Sequence, residues 1–242
     1  MLQQVAARNL GERLAACPYP GRGIVIGRSL EERWTQVYWI MGRSDNSRNR
    51  LFVREGDDLR TWPVDPSRLA RPELVIYRAM SRQGSCLVVS NGLQTDAVHD
   101  GLAQGRSFAE SLQAWQHEPD PPHNTPRISG MVDVACGLVW LSVIRASLGD
   151  PGCSDHAFYR YAHVPAGIGY AVTTYLGDGD PLPSFAGDPY PVPLQGDAGW
   201  IAATYWEALD ADNRVALAVR QADPRSGEVR LEILNRHTPV PA

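Results

Sequence analysis

Apolar positions along this chain fall into short runs bounded by turn residues, and most of the runs have the length and residue types of strands. Residues 23–27 and 36–42 form two such runs across the charged turn Glu31-Glu32-Arg33, which predicts a hairpin. Residues 51–54 make another run, and residues 73–82 and 85–90 flank Gln83-Gly84 as a tight hairpin. Further along, 127–132 pairs with 137–144, and 158–163 and 169–175 continue the sheet. Residues 215–221 and 229–234 close the chain as a hairpin across Asp223-Pro224-Arg225-Ser226-Gly227. Helical spacing occurs in three places. Residues 2–16 carry Val5, Ala6, Leu10 and Leu14 before Pro18-Tyr19-Pro20-Gly21 breaks the pattern. After the turn at Asn91-Gly92, Thr95 or Asp96 is expected to cap a helix bearing Ala97, Val98 and Leu102, with a second piece past Gly105 bearing Phe108, Leu112 and Trp115. Residues 200–209 form the third helix, capped by Asp197.

Three stretches follow neither period. Residues 57–72 are polar and hold Pro63, Pro66 and Pro72, so they read as irregular, and 118–126 reads as a proline-rich loop. Residues 176–199 contain five prolines and five glycines. That is too long for an ordinary connection in a compact domain, which makes the segment a candidate lid, arm or interface. With no internal repeat and no clean linker, residues 1–242 read as one domain, and many antiparallel strands with helices grouped in two places predict an α+β layered fold.

Composition narrows the chemistry. An apolar share of 43% suffices for a real core, while a net charge of -4 argues against a nucleic-acid partner, which calls for a basic face. No run of 18 apolar residues exists and the first twenty residues lack a hydrophobic signal core, so no membrane partner is expected and the cytoplasm is the expected compartment. All 23 basic residues are arginine. The absence of lysine excludes a phosphate-binding P-loop, pyridoxal phosphate held as a Schiff base, and lysine-dependent aldol chemistry. The four cysteines, Cys17, Cys86, Cys136 and Cys153, form no C-x-x-C pair and read as buried thiols in a reducing compartment. Cys153 and His156 alone supply too few ligands for a structural zinc, and neither a metal nor a cofactor is expected.

Polar chemistry concentrates in residues 42–50, between two apolar runs, where three arginines, two asparagines and two serines crowd one loop. The planar guanidinium fork suits a phosphate dianion, and short Ser and Asn donors complete such a site. Three other loops at strand ends have similar density: residues 19–22, 91–96 and 123–127.

These pieces resemble the archaeal-type IMP cyclohydrolase family. The matching elements are Tyr19-Pro20-Gly21-Arg22, the Arg43-Ser44 and Asn49-Arg50 pairs, Asn91-Gly92 with Thr95-Asp96, and Asn124-Thr125-Pro126-Arg127, in that order over about residues 19–175. The resemblance implies a four-layer αββα sandwich similar to N-terminal-nucleophile hydrolases. It also implies closure of 5-formamidoimidazole-4-carboxamide ribotide to inosine monophosphate (IMP) with loss of water, so the expected partner is a small-molecule purine ribotide, handled by a homo-oligomer.

On that reading Arg22, Arg43, Ser44, Asn49, Arg50, Asn91, Gly92, Thr95, Asp96, Asn124, Thr125 and Arg127 hold the ribotide. Arg50 also supports catalysis. Tyr77 matches a strand tyrosine of the family and hydrogen-bonds the formyl oxygen, and Glu118, matched to a family acid, handles the amide proton. His123 stands where archaeal relatives have a tyrosine-like residue, so no role is carried onto it. Three alternatives compete: a related cyclase or hydrolase acting on a nucleotide analogue in specialised metabolism, an amidohydrolase using Cys17 as an N-terminal nucleophile, and a purine-nucleotide-binding module without catalysis. Substrate turnover separates them.

Overall fold

A computed structural model describes residues 1–69 and 72–238. It is built on two antiparallel sheets. Helix α1 (Leu2–Asn9) runs on into a π-helical turn, Leu10–Ala15. Strands β1 (Gly23–Arg28) and β2 (Trp34–Met41) follow as the expected hairpin, with Val25 opposite Val37. Their side chains are almost all buried, because one face of this sheet meets the second sheet and the other meets helices. Next come α2 (Asp45–Arg48), β3 (Leu51–Glu55), β4 (Asp58–Trp62) and α3 (Pro72–Val75). Strands β5 (Arg78–Gln83) and β6 (Cys86–Ser90), helices α4 (Gln94–Ala103) and α5 (Phe108–Leu112), and strands β7 (Arg127–Asp133), β8 (Leu138–Ala146), β9 (Ser154–Tyr161) and β10 (Ile168–Thr173) carry the chain to its long arm. The chain ends with β11 (Tyr190–Pro193), α6 (Ala198–Ala208), β12 (Arg214–Ala222) and β13 (Val229–Asn235).

One sheet has the order β11-β10-β1-β2-β12-β13 and the other β3-β4-β5-β6-β7-β8-β9. Period-two alternation sorts β7 cleanly: Ile128 and Val132 join the large core shared with β1 and β2, while Met131 points to a second cluster with Val88, Val98, Phe108, Leu112 and Ile144 under α4 and α5. At Gly130 the sheets pack with no room for a side chain, since a Cβ there would lie 2.4 Å from Ile26 Cδ1. On the other sheet, Tyr205 of α6 packs against Trp39 at 6.3 Å between ring centroids, and Asn9 Nδ2 of α1 donates to Pro191 O at 2.8 Å. Arg220 crosses the interior from β12, donating to Gln36 Oε1, Ser81 O and Val88 O, and burial pulls its pKa down to about 9, still above neutrality.

Several elements differ from the sequence expectation. The stretch expected to be irregular contains strand β4, which alternates buried Leu59 and Thr61 with more exposed neighbours, a pattern masked in sequence by the flanking prolines. The strand expected over 73–82 begins instead as α3, with Pro72 at its first position, where a missing N–H costs nothing. Thr61 ties the two together, its hydroxyl donating to Val75 O at 2.6 Å and accepting from Tyr77 N at 2.9 Å. Neither Thr95 nor Asp96 caps α4: the Thr95 hydroxyl donates back to Gly92 O, and Asp96 pairs with Arg78. Within 176–199 the chain forms β11, an edge strand whose Pro191 and Pro193 sit where a proline is tolerated. Cys136 and Cys153 are exposed and Cys86 is half-buried, which leaves Cys17 as the buried thiol.

Candidate functional site

Strand ends and loops from both sheets meet at one cleft of about 380 Å³. The connection from β2 to β3 supplies one wall. There Ser44 caps α2, its hydroxyl accepting from Ser47 N while Ser47 Oγ accepts from Ser44 N, and Arg48 Nε donates to Gly42 O. The reciprocal cap turns the chain tightly and leaves the arginines on either side free to reach over the cleft.

Arg50 is buried, and it donates through Nε to Ser47 O at 2.9 Å. Its two Nη nitrogens have no hydrogen-bond partner among the described residues. Arg43 lies over the Tyr19 ring at 4.7 Å and is paired with Asp178 of the long arm, with a further bond to Gly179 O. Among the described residues the rim of the cleft therefore holds Arg50 as an unspent cation and Arg43 as one that is paired within the chain.

The floor is built differently. Arg22, at the start of β1, donates through Nη2 to Glu118 Oε2 at 2.9 Å and through Nη1 to Asn91 O at 3.2 Å. Arg127 brings Nη1 to 4.0 Å from Glu118 Oε1 and stacks on Trp115. Burial disfavours the Arg22 cation, yet Glu118 first and then the Tyr77 and Tyr38 phenols outweigh it, holding Arg22 well above its ordinary pKa. Arg127 lacks so close a carboxylate, and burial pulls its pKa down. Tyr77 lies beneath this floor, its hydroxyl 2.6 Å from that of Tyr38.

Of the sequence-predicted residues, Arg22, Arg43, Ser44, Arg50, Glu118 and Thr125 line the cleft together. The others stand behind it. Asn49 closes a reciprocal pair with the Asp65 backbone. Asn91 is fully buried, its amide bridging Pro126 O, Ile128 N and Gln94, so it sets the loop on which Arg22 leans. Gly92 has an ordinary φ, but a Cβ there would lie 2.7 Å from both Arg127 Nη1 and Gln94 Oε1, so glycine makes room for that bond. Thr95 and Asp96 serve α4 and Arg78, as above. Asn124 adopts φ 45°, the left-handed turn conformation that asparagine tolerates.

Sequence reasoning assigned no role to several lining residues: Tyr19, Asp120, His123, Tyr175 and Leu182. Tyr19 stood in a recognised motif, and Asp120 lies two residues past Glu118, so both were within reach. Tyr175, at the end of the run 169–175, and Leu182, from the arm, carried no local signal for a place in the cleft. Leu182 N donates to His123 Nδ1 at 3.3 Å, which docks the arm on the loop that carries Glu118. Cys17 lies outside the lining, facing Leu176 O at 3.9 Å, and burial pushes its thiol pKa up, opposite to what a nucleophile needs. Among the described residues no group of three or more His, Cys, Asp or Glu side chains could hold a metal ion, and no helix is long and apolar enough to cross a membrane.

The family model described as IMP cyclohydrolase-like protein matches residues 19–227, a span that contains every residue lining the cleft. A Methanopyrus kandleri protein named IMP cyclohydrolase is 31% identical over 179 residues, 69% of this chain and 89% of its own length. Proteins of the same name from Methanothrix thermoacetophila and Methanocella arvoryzae are 33% and 32% identical. The first match covers 47% of this chain and 57% of the relative, and the second 59% and 74%. The match runs past residue 175 and takes in the arm, whose Leu182 lines the cleft beside Tyr175, and on this breadth the chain belongs to the IMP cyclohydrolase-like protein family.

Proposed function

We propose that the protein is an IMP cyclohydrolase of purine biosynthesis, closing 5-formamidoimidazole-4-carboxamide ribotide to IMP. In this closure the carboxamide nitrogen bonds to the formyl carbon. The formyl oxygen leaves as water, carrying one hydrogen from the carboxamide nitrogen and the one on the formamide nitrogen. The reaction is intramolecular, so the enzyme's work is to hold one conformer, stabilise charge on the formyl oxygen and move protons. The observation that carries the reading is the division of the cleft, in a chain of this family, between an arginine rim suited to a phosphate and a buried Arg22–Glu118 pair on the floor.

The phosphate belongs at the rim, on Arg50 and Arg43 with Ser44. The heterocycle then lies toward the floor, where Glu118 takes the amide proton, and Arg22 with Tyr77 beneath it supports the formyl oxygen. Four unpaired cysteines support a reducing, cytoplasmic setting. Helices α4 and α5 on one sheet and α1 and α6 on the other support an αββα sandwich similar to N-terminal-nucleophile hydrolases. The test is to mix the protein with the formamido ribotide and follow the ultraviolet absorbance of the purine, with the phosphate-free riboside in parallel. Rapid closure of the ribotide and poor closure of the riboside are expected. No acceleration of either overturns the assignment.

A further inference from the structure

The cleft contains a hydrogen-bond chain whose direction is fixed from one end. Asp120, two residues past Glu118, spends both carboxylate oxygens on Thr125: Oδ1 accepts from Thr125 N at 2.7 Å and Oδ2 from Thr125 Oγ1 at 2.5 Å. A carboxylate has no hydrogen to give, so the Thr125 hydroxyl must be the donor. A hydroxyl has only one hydrogen. Thr125 Oγ1 lies 2.6 Å from Tyr175 Oη, and with its own hydrogen already committed it can only accept there. The Tyr175 phenol, pushed up to about 12 chiefly by burial, keeps its hydrogen and gives it to Thr125.

All three residues line the cleft, and Thr125 and Tyr175 are almost wholly buried. Tyr175 is also held flat against Tyr19, with ring centroids 6.0 Å apart and planes at 21°. Its oxygen therefore stands at a fixed place with its hydrogen turned away. What it offers a ligand is a lone pair.

We propose that Tyr175 is a specificity-determining residue that accepts a hydrogen bond from a ligand N–H, with Thr125 and Asp120 as positioning residues that hold it in the acceptor state. The proposal rests on the cyclohydrolase reading for the identity of that N–H. The carboxamide nitrogen carries two hydrogens before closure and becomes N1–H of the product. Accepting one of them turns the nitrogen in the cleft and disfavours ring analogues that present a bare acceptor at the same point. Thr125, expected to touch the ribotide itself, then acts through its neighbour.

The polarity is reversible by one atom. In Asp120→Asn the amide oxygen keeps the bond to Thr125 N, which leaves the amide NH₂ facing Thr125 Oγ1. Thr125 then accepts from residue 120 and donates to Tyr175, whose hydrogen is released toward the cleft. The experiment measures binding of IMP, which carries N1–H, and of 6-chloropurine ribotide, whose N1 is a bare acceptor, by calorimetry on wild type, Tyr175→Phe and Asp120→Asn. Wild type should favour IMP by roughly tenfold or more, the usual penalty for opposing a buried acceptor to an acceptor. Tyr175→Phe should bring the two ligands within about threefold, and Asp120→Asn should shift the preference toward the chloro ligand beyond that of Tyr175→Phe. An unchanged preference in Tyr175→Phe overturns the proposal, as does a wild type that fails to distinguish the ligands. If Asp120→Asn unfolds, Tyr175→Phe, which removes one oxygen and keeps the ring stack, decides alone. The outcomes separate from the test of function: a protein that shows this ligand pattern but does not close the formamido ribotide keeps the acceptor and loses the enzyme assignment, and the converse holds.

Discussion

Replacing Arg50 with alanine tests the rim of the cleft. The Nε of Arg50 is held by Ser47 O at 2.9 Å, and its Nη ends have no hydrogen-bond partner among the described residues, so alanine removes a donor fork that is already aimed and has little to rearrange. The turn should survive, because Ser44 and Ser47 cap each other and Arg48 Nε holds Gly42 O at 2.9 Å independently. Loss of the single Nε bond costs about 1 kcal/mol of fold stability, a small fall in melting temperature. Loss of a charge-assisted contact to phosphate costs about 2 kcal/mol of binding, which is roughly a thirtyfold weaker dissociation constant.

The assay is calorimetric titration of wild type and Arg50→Ala with IMP and, separately, with inosine. IMP should weaken about thirtyfold and inosine by less than about twofold, since only the phosphate is lost between the two ligands. The IMP difference should shrink only modestly at high salt, because Arg50 is buried and screened less than a surface charge. If inosine weakens as much as IMP, Arg50 touches the heterocycle or holds the cleft open. If IMP binding is unchanged, the phosphate lies elsewhere and the division of the cleft is wrong.

Other variants probe the floor and the arm. Glu118→Gln keeps the shape and a bond to Arg22 but removes the charge, so turnover of the ribotide should fall about a hundredfold or more, with IMP affinity changed far less; full turnover would take the proton step away from Glu118. Tyr77→Phe removes a hydroxyl beneath the floor, and a fall in kcat of about a hundredfold with product affinity within a few fold is expected, whereas a loss confined to melting temperature would make the Tyr38–Tyr77 contact purely structural. Asp178→Asn frees Arg43 from a half-exposed pair and should tighten IMP by about two- to fivefold without affecting inosine, read by the same titration. Weaker IMP binding would instead mean that the arm closes over the ligand through that pair.

The strand pairs around Gln83-Gly84 and across residues 223–227 were legible in the sequence because period-two runs and turn residues are local signals, and α6 was legible through its Asp197 cap. Strand β4 was not, because three prolines nearby outweigh a five-residue alternation that becomes meaningful only when β3 and β5 flank it. In the site, Arg43 and Arg50 were singled out by their chemistry and Arg22, Arg127 and the loops at Asn91 and Asn124 by resemblance. What could not be read was which face each polar side chain turns toward. Asn91 and Asn49 look like ligand donors in sequence but are spent on backbone groups, whereas Tyr175 looked like the end of a strand and faces the cleft. Hydrogen-bond direction depends on partners as much as 50 residues away, as for Thr125 and Tyr175, and no local pattern encodes it.

The distribution of charge in the cleft explains why one end suits a phosphate and the other does not. Glu118 and Arg22 have side chains only 5% and 10% exposed, so parting them would strand a charge in a medium that cannot solvate it. Asp178 and Arg43 are 50% and 36% exposed, and water takes up either charge when they part. A phosphate dianion entering the cleft finds Arg50 unspent and Arg43 recoverable at small cost, while Arg22 stays bound to its carboxylate. Released from Arg43, Asp178 is repelled by the incoming dianion, and the arm that carries it also carries Leu182 and follows directly on Tyr175. On the proposed reading, phosphate binding at the rim acts three residues along the chain from Tyr175, the proposed acceptor. On that reading a ligand without phosphate leaves the Arg43–Asp178 pair intact.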